Sequence, residues 1–223
     1  MDYVYVDADV TLFQGQNQLN VKRIRKADEG EYHPADYLPV TTKDIPAMQH
    51  ELIQYITTIK NEYLRKLASG YFNDPEFMKA FSFHSAAKSV HHGFVGGLLE
   101  HTLSVVKMCD YFSKQYPLIN RDLLLTAAMF HDIGKTKELS AFPANDYTDD
   151  GQLLGHIIIG SQMVKERIDA MPGFPKKLES ELIHCILAHH GELEYGSPKK
   201  PALIEAMALN LAEMTHGRTK TTP

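Results

Sequence analysis

The strongest constraint on the fold is a stretch that is apolar on nearly every side of a helix and leads directly into charged residues. Residues 122–130 are DLLLTAAMF, and HDIGK follows at 131–135. A helix that is apolar all round is buried, so this one belongs at the centre of a helical domain. His131 and Asp132 at its end cost free energy to bury unless a partner satisfies them. A metal ion is one such partner.

Histidines also interrupt the apolar faces of other predicted helices. His101, His156 and His189 each share an apolar stripe at helical spacing. One such histidine is usually a hydrogen-bonded core residue, but four on four separate helices, one of them followed by Asp132, favour a metal centre between facing helices. Neutral imidazoles with a carboxylate suit Mn, Fe, Ni, Zn or Co. With His190 as a further imidazole, two ions sharing Asp132 would form a centre of the kind that hydrolyses phosphate esters.

The rest of the chain predicts a mainly α-helical protein with a short β segment at its N-terminus. The first 26 residues alternate apolar and polar side chains around the turn-forming QGQNQ, which predicts one β-hairpin. A linker rich in proline and acidic residues follows, and helical patterns then begin at Asp44, the first as a single stripe from Ile45 to Gly70. We therefore predict a hairpin and linker in residues 1–43, a helical domain in residues 44–218 and a tail in residues 219–223.

Composition narrows the classes of function. The chain of 223 residues has a formal net charge of -5, so we expect any nucleic acid to be held in a groove rather than across a broad basic surface. Cys109 and Cys185 lie within apolar helical patterns and lack paired spacing, which indicates core residues of a reducing compartment. No apolar stretch approaches the roughly 20 residues that a membrane span needs. The sequence therefore predicts a cytoplasmic protein that does not enter membranes.

Four short motifs, in order along the chain, carry a resemblance to a known family. They are LLEHT at 98–102, FHDIGK at 130–135, GHIIIG at 155–160 and AHHG at 188–191. Together they resemble the HD superfamily of metal-dependent phosphohydrolases, and the longer segments around them resemble the YhaM-type 3′-to-5′ exoribonucleases. The resemblance implies an HD-domain helical bundle, with the hairpin as a partial remnant of the oligonucleotide-binding β-barrel that precedes this domain in the family.

The resemblance implies a set of metal ligands. The first ion would be held by three residues of the first two motifs: His101, His131 and Asp132. A second ion, if the centre holds two rather than one, would share Asp132 and be held also by His156 and by one or both of His189 and His190. In the family an aspartate on the last helix completes the first site, and here Glu213 stands at the corresponding place.

The resemblance also implies substrate contacts and an activity. Lys135 would contact the scissile phosphate, and residues just before the first motif would position other phosphates: Lys88, His91 and His92. The implied activity is metal-dependent hydrolysis of phosphodiesters at the 3′ end of single-stranded RNA or short oligonucleotides, with Mn as the first choice of metal. Two alternatives stay open: a nucleotide phosphohydrolase or phosphodiesterase acting on small substrates, and a metal-binding regulatory module in which Glu213 weakens catalysis. Unpaired strand edges on the hairpin also suggest a homo-oligomer.

Overall fold

The computed structural model describes residues 3–28, 30–32, 36–87, 93–142 and 144–218. For residues 216–218 it describes the backbone and not the side chains. The chain divides into two compact units, Met1–Leu38 and Pro39–Pro223. The first unit carries the two β-strands, and the second carries the α-helices. The predicted mainly helical fold with an N-terminal hairpin is therefore confirmed.

The first unit contains an antiparallel hairpin of β1 (Val4–Phe13) and β2 (Gln16–Lys26). Gln14 and Gly15 form a two-residue turn in which both residues have positive φ, a conformation that matches the twist of the paired strands. The turn is shorter than the predicted QGQNQ segment, because Gln16 already pairs with Phe13 across the strands. The predicted hairpin is confirmed with this shorter turn.

The second unit is built around one buried helix. Its helices are α1 (Ile45–Thr57), α2 (Glu62–Phe72), α3 (Pro75–Phe83), α4 (Gly97–Gln115), α5 (Arg121–Phe130), α6 (Lys135–Glu138), α7 (Asp149–Asp169), α8 (Lys176–Leu187) and α9 (Ile204–Arg218). Helix α5 is buried at every position from Leu123 to Phe130 and packs against α2, α4, α8 and α9. The central place predicted for this stretch is confirmed. Its C-terminal end carries His131 and Asp132 into the interior, where their exposed fractions are 0% and 1%.

The stripe predicted as one helix from Ile45 to Gly70 is two helices, α1 and α2. The chain leaves the helical path between them because polar side chains offer its backbone other partners. The side chain of Asn61 accepts hydrogen bonds from the first turn of α2, and Asp122 accepts hydrogen bonds from the backbone N–H groups of Lys60 and Asn61 at 2.9 and 2.7 Å. Such side-chain acceptors compete with helix continuation. Gly70 consequently lies inside α2 and does not end a helix.

Two glycines let α6 and α7 touch backbone to backbone. A Cβ atom on Gly134 would lie 2.0 Å from the carbonyl oxygen of His156, and one on Gly151 would lie 2.1 Å from the carbonyl oxygen of Glu138. Helix α7 is itself bent at Gly155, whose φ of 73° and ψ of 158° are not helical. The close contact and the bend together bring the start of the second half of α7 next to the HDIGK segment.

The two cysteines lie in the core of the helical unit. Cys109 and Cys185 are buried and form no disulfide, and burial raises the pKa of the Cys185 thiol to about 12. Their predicted role as core residues is confirmed. Within the described ranges, every helix is too short or too polar to cross a lipid bilayer.

Candidate metal centre

One group of potential ligand atoms lies where α4, the end of α5 and α9 meet. The Nε2 atom of His101 lies 3.0 Å from His131 Nε2, 3.3 Å from Asp132 Oδ2 and 3.0 Å from Glu213 Oε2. His131 Nε2 lies 3.4 Å from each of the same two carboxylate oxygens. All four atoms therefore surround one small space. Two imidazoles and two carboxylates are a ligand set suited to a divalent transition-metal ion.

A second group faces the other oxygen of Asp132. Asp132 Oδ1 lies 3.3 Å from His156 Nε2 and 3.7 Å from His189 Nε2. The ring of His190 lies 4.4 Å from the ring of His189 and 5.3 Å from that of His156, measured between centroids. Ligand-type atoms of these three histidines lie within 4.8 Å of one another. Asp132 is thus the residue shared by the two groups.

Hydrogen bonds on the far side of the rings turn the Nε2 atoms inward. Three histidines use Nδ1 to contact a backbone carbonyl, at 2.7 Å for His131 with Ala128, 2.7 Å for His189 with Ile186 and 2.8 Å for His190 with Tyr195. Because a carbonyl can only accept, each Nδ1 carries a proton, and Nε2 is the ring nitrogen that faces the site. The carbonyls that receive the first two bonds belong to the last turns of α5 and α8, where the helix leaves them without a backbone partner.

Several of the inward-facing atoms have no conventional partner. Among the described residues, four buried side-chain atoms of the two groups lack a hydrogen bond: Asp132 Oδ1, His156 Nε2, His189 Nε2 and Glu213 Oε2. Asp132 Oδ2 also lacks a well-directed hydrogen bond, although Lys135 Nζ makes an ion pair with it at 2.7 Å. Buried polar atoms normally have partners, so a cluster of such atoms around two spaces fits two metal ions. The ligand atoms present therefore suit the metal ions that they would hold.

The charges of the site favour the metal-binding forms of its carboxylates. Burial opposes the ionisation of Asp132, but the charges of Lys135 and His131 outweigh it and hold the pKa of this carboxyl well below its usual range. Neighbouring histidines outweigh burial in the same way and lower the pKa of Glu213. Burial and the charge of His131 lower the pKa of His189. At neutral pH both carboxylates are therefore ionised and His189 is neutral. The same carboxylates outweigh burial and raise the pKa of His131 to about 10, so a metal ion bound there would displace a proton from His131.

Comparison with known proteins agrees with this geometry. Residues 98–217, more than half of the chain, match the family model for the HD domain. The chain belongs to the HD domain family. It is also 37% identical over 211 residues to the 3′-5′ exoribonuclease YhaM of Bacillus velezensis and, to the same extent, to that of Bacillus licheniformis. The alignment covers 93% of this chain and 65% of each relative, so the chain spans just under two thirds of their length. No solved structure matches the chain. The predicted resemblance to the HD superfamily and to YhaM-type exoribonucleases is confirmed.

The HD domain brings most of the predicted site residues together. His101, His156 and Lys135 lie on helices at the site, and Glu213 reaches it from α9 with its side chain only 20% exposed. The predicted substrate residues Lys88, His91 and His92 lie outside the described residues. Asn210, three residues before Glu213 on α9, donates a hydrogen bond from Nδ2 to the carbonyl oxygen of His189 at 2.8 Å.

The expectation of four separate helices each carrying one histidine is wrong in part. His101 and His156 lie within α4 and α7, but His131 and His189 follow the last residues of α5 and α8. Their periodicity fits a helix because the chain continues for a turn beyond each end. At these positions the ring Nδ1 can reach a free helical carbonyl three residues earlier, which a residue in the middle of a helix cannot do.

Sequence analysis missed one residue of the HD domain that contacts a metal-ligand candidate. Glu138 Oε1 accepts hydrogen bonds from both the backbone N–H and the ring Nδ1 of His156, at 2.9 and 3.1 Å. The available signal was a glutamate only six residues after Asp132, in a segment that already carried HDIGK. Periodicity places Glu138 on no apolar stripe, so its proximity to His156 depends on the crossing of α6 and α7.

We expect Glu213→Ala to weaken the binding of one metal ion and to leave the other nearly unchanged. Glu213 contacts His101 and His131 but no member of the second group. Loss of a direct ligand should lower the affinity of the first ion by more than the roughly 10- to 100-fold that loss of a supporting hydrogen bond costs. Isothermal titration with Mn²⁺ measures both affinities. Glu213→Asp should retain part of the affinity, and Glu62→Ala, at an exposed position on α2, should retain all of it. Equal affinities for wild type and Glu213→Ala would contradict the assignment.

Proposed function

We propose that this HD domain is a metal-dependent phosphodiesterase that removes nucleotides from the 3′ end of single-stranded RNA or short oligonucleotides. The observation that carries the proposal is the position of Asp132, which turns one carboxylate oxygen to each of two adjoining groups of ligand atoms. The similarity to curated 3′-5′ exoribonucleases supports the choice of substrate. Single-stranded RNA is then the partner, and we keep the predicted cytoplasmic location and homo-oligomer as part of the same hypothesis.

In this proposal, each of the two groups of ligand atoms would hold one metal ion. The first ion would be held by Asp132 and three residues around it: His101, His131 and Glu213. The second would be held by Asp132 and three histidines: His156, His189 and His190. When bound, a pair of divalent ions such as Mn²⁺ supplies a water-derived nucleophile at neutral pH and neutralises charge on the phosphoryl oxygens. No separate side-chain base is then needed.

Lys135 is the residue of this chain that we assign to the phosphate itself. Its Nζ lies 2.7 Å from Asp132 Oδ2, and its side chain is only 15% exposed. Burial opposes the charged form, but Asp132 and Glu213 outweigh it and raise the pKa of Lys135, so the ammonium group persists at neutral pH. A fixed cation at this point can donate a hydrogen bond to a phosphoryl oxygen as negative charge develops there. Lys88, His91 and His92 remain candidates for contacts with other phosphates.

Two end-labelled copies of one single-stranded oligoribonucleotide test the activity and its direction. With Mn²⁺ we expect the 5′-labelled copy to shorten progressively, and the 3′-labelled copy to release its label as a mononucleotide in the first step. Asp132→Asn, which keeps the shape of the side chain and removes its charge, is the inactive control. Parallel reactions with bis(p-nitrophenyl) phosphate and with mononucleotides measure activity on small substrates.

Other outcomes would select the alternatives. Cleavage of only the small substrates, sensitive to Asp132→Asn, would replace the proposal with a nucleotide phosphohydrolase or phosphodiesterase. Metal binding without hydrolysis of any substrate would indicate a metal-binding regulatory module. Shortening from the 5′ end would contradict the proposed direction. Activity unchanged in Asp132→Asn would contradict the proposed site.

A further inference from the structure

Glu138 makes two hydrogen bonds to a single residue of the metal centre. Its Oε1 atom accepts from the backbone N–H of His156 at 2.9 Å and from the ring Nδ1 at 3.1 Å. The Glu138 side chain is 12% exposed and that of His156 is 13% exposed, so water competes little for either bond. A carboxylate held so firmly against one imidazole restricts both the position of the residue and the rotation of its ring.

The backbone bond exists because α7 is bent. Gly155 has φ 73° and ψ 158°, so the helix restarts at His156. At the start of a helix the first N–H groups have no carbonyl partner within the helix, and a carboxylate there is favourable. Glu138 satisfies one of these groups from outside α7. Its carboxylate thus serves both as the cap of a helix and as the hydrogen-bond acceptor of a candidate ligand.

Glu138 is itself held from two directions. Its backbone N–H donates to the carbonyl oxygen of Gly134 at 2.9 Å, and its carbonyl oxygen accepts from the backbone N–H of Thr148 at 2.9 Å. Thr148 also caps the start of α7, where its side chain accepts from the N–H of Gly151 at 2.9 Å. Glu138 therefore lies between two fixed points, one in the HDIGK turn and one at the beginning of α7. The backbone of Glu138 is thus held in place, and its side chain can orient His156.

The ring of His156 has only one useful orientation for a metal ion. Since a carboxylate accepts, Nδ1 carries the proton, and Nε2 is left with its lone pair 3.3 Å from Asp132 Oδ1. A negative charge on the far side of an imidazole also makes its other nitrogen a stronger donor to a metal. His131, His189 and His190 have neutral backbone carbonyls in the equivalent place. Of these four histidines, His156 is thus the one whose Nδ1 faces a carboxylate.

We propose that Glu138 is a positioning residue that sets the affinity of the second metal ion by fixing the tautomer and orientation of His156. The inference rests on the metal centre of the proposed function and extends it to a residue that contacts neither metal nor substrate. We expect the effect to fall on that ion, because both side-chain hydrogen bonds of Glu138 go to His156, a member of the second group. Loss of Glu138 should therefore lower the occupancy of the second site selectively.

Metal titration of matched variants tests the effect on the second ion. We expect Glu138→Ala to lower the affinity of the second ion, which is the ion that His156→Ala also weakens, by about 10- to 100-fold, while the other affinity stays within error of wild type. Glu138→Gln, which keeps an acceptor oxygen and loses the charge, should show a smaller loss. Glu166→Ala, at an exposed position on α7, is the control for removal of a glutamate from the same region. Isothermal titration with Mn²⁺ and metal analysis of the dialysed protein provide the measurements.

Two further measurements distinguish positioning from general damage to the fold. In a His156→Ala background, adding Glu138→Ala should change neither metal affinity, because the side chain through which Glu138 acts is gone. Long-range ¹H–¹⁵N spectra of the metal-free protein should show His156 protonated at Nδ1 in wild type and as a mixture of tautomers in Glu138→Ala. A further loss in the double variant, or an unchanged tautomer in the single variant, would overturn the inference.

The failure of this inference is separable from the failure of the proposed function. Two ions bound equally well by wild type and Glu138→Ala would leave the metal centre intact and reject the role of Glu138. No ion bound by wild type would reject the metal centre, and the tautomer spectra of the metal-free protein would still decide whether Glu138 orients His156.

Discussion

Replacing Asp132 by alanine should weaken metal binding in both groups and lower the rate of phosphodiester hydrolysis by about 10³-fold or more, which is about 4 kcal/mol in activation free energy. The two oxygens of Asp132 face different groups of ligand atoms, so one substitution removes a ligand from both. Titration with Mn²⁺ measures binding, and hydrolysis of bis(p-nitrophenyl) phosphate or of a labelled oligoribonucleotide measures the rate.

Single-group variants are the matched controls for this result. His101→Ala removes a residue of the first group only, and His156→Ala removes a residue of the second group only. Each should weaken the binding of one ion and leave the binding of the other unchanged, whereas Asp132→Ala should weaken the binding of both. If Asp132→Ala still bound one ion with the affinity of wild type, Asp132 would not be shared between the groups, and the two-ion arrangement would be wrong.

Gly134→Ala should destabilise the helical unit and disturb the second group of ligands, although Gly134 is not itself a candidate ligand. An added Cβ atom would lie 2.0 Å from the carbonyl oxygen of His156 and 2.6 Å from the backbone N of Gly160. Backbone atoms cannot rotate away as a side chain can, so α6 and α7 must separate. Overpacking of this kind costs about 3 kcal/mol. For a chain of this size, the melting temperature should fall by about 6 to 12 °C.

A glycine in a less restricted place provides the comparison. A Cβ atom on Gly70 would meet the guanidinium of Arg167 at 3.0 Å, and this is the end of a flexible side chain. Gly70→Ala should therefore change the stability by less than about 1 kcal/mol, since the helix gains from alanine what the contact loses. Thermal unfolding followed by circular dichroism compares the two variants. A Gly134→Ala protein as stable as Gly70→Ala, with full affinity for the second ion, would contradict the close contact of α6 with α7.

Local sequence patterns predicted the helical class, the hairpin and the identity of the clustered histidines. The apolar run of α5 could only be buried, and a histidine and an aspartate at its end needed a polar partner inside the protein. Periodicity was less reliable for element boundaries. It joined α1 to α2 because the apolar stripe continues through residues 58–61, and it could not register that Asp122, far away in sequence, would accept hydrogen bonds from the backbone there.

Which residue types enter the centre could be predicted from the sequence, because buried imidazoles and carboxylates are costly unless they share a ligand. How these residues divide into two groups depends on the packing of the helices. The backbone contact at Gly134 and the bend at Gly155 place His156 beside Asp132 Oδ1, and the approach of α9 brings Glu213 within 3.0 Å of His101. The contact of Glu138 with His156 was likewise found only in the tertiary structure. Its two hydrogen bonds join residues on different helices, and such contacts depend on how helices cross rather than on any periodicity within one of them.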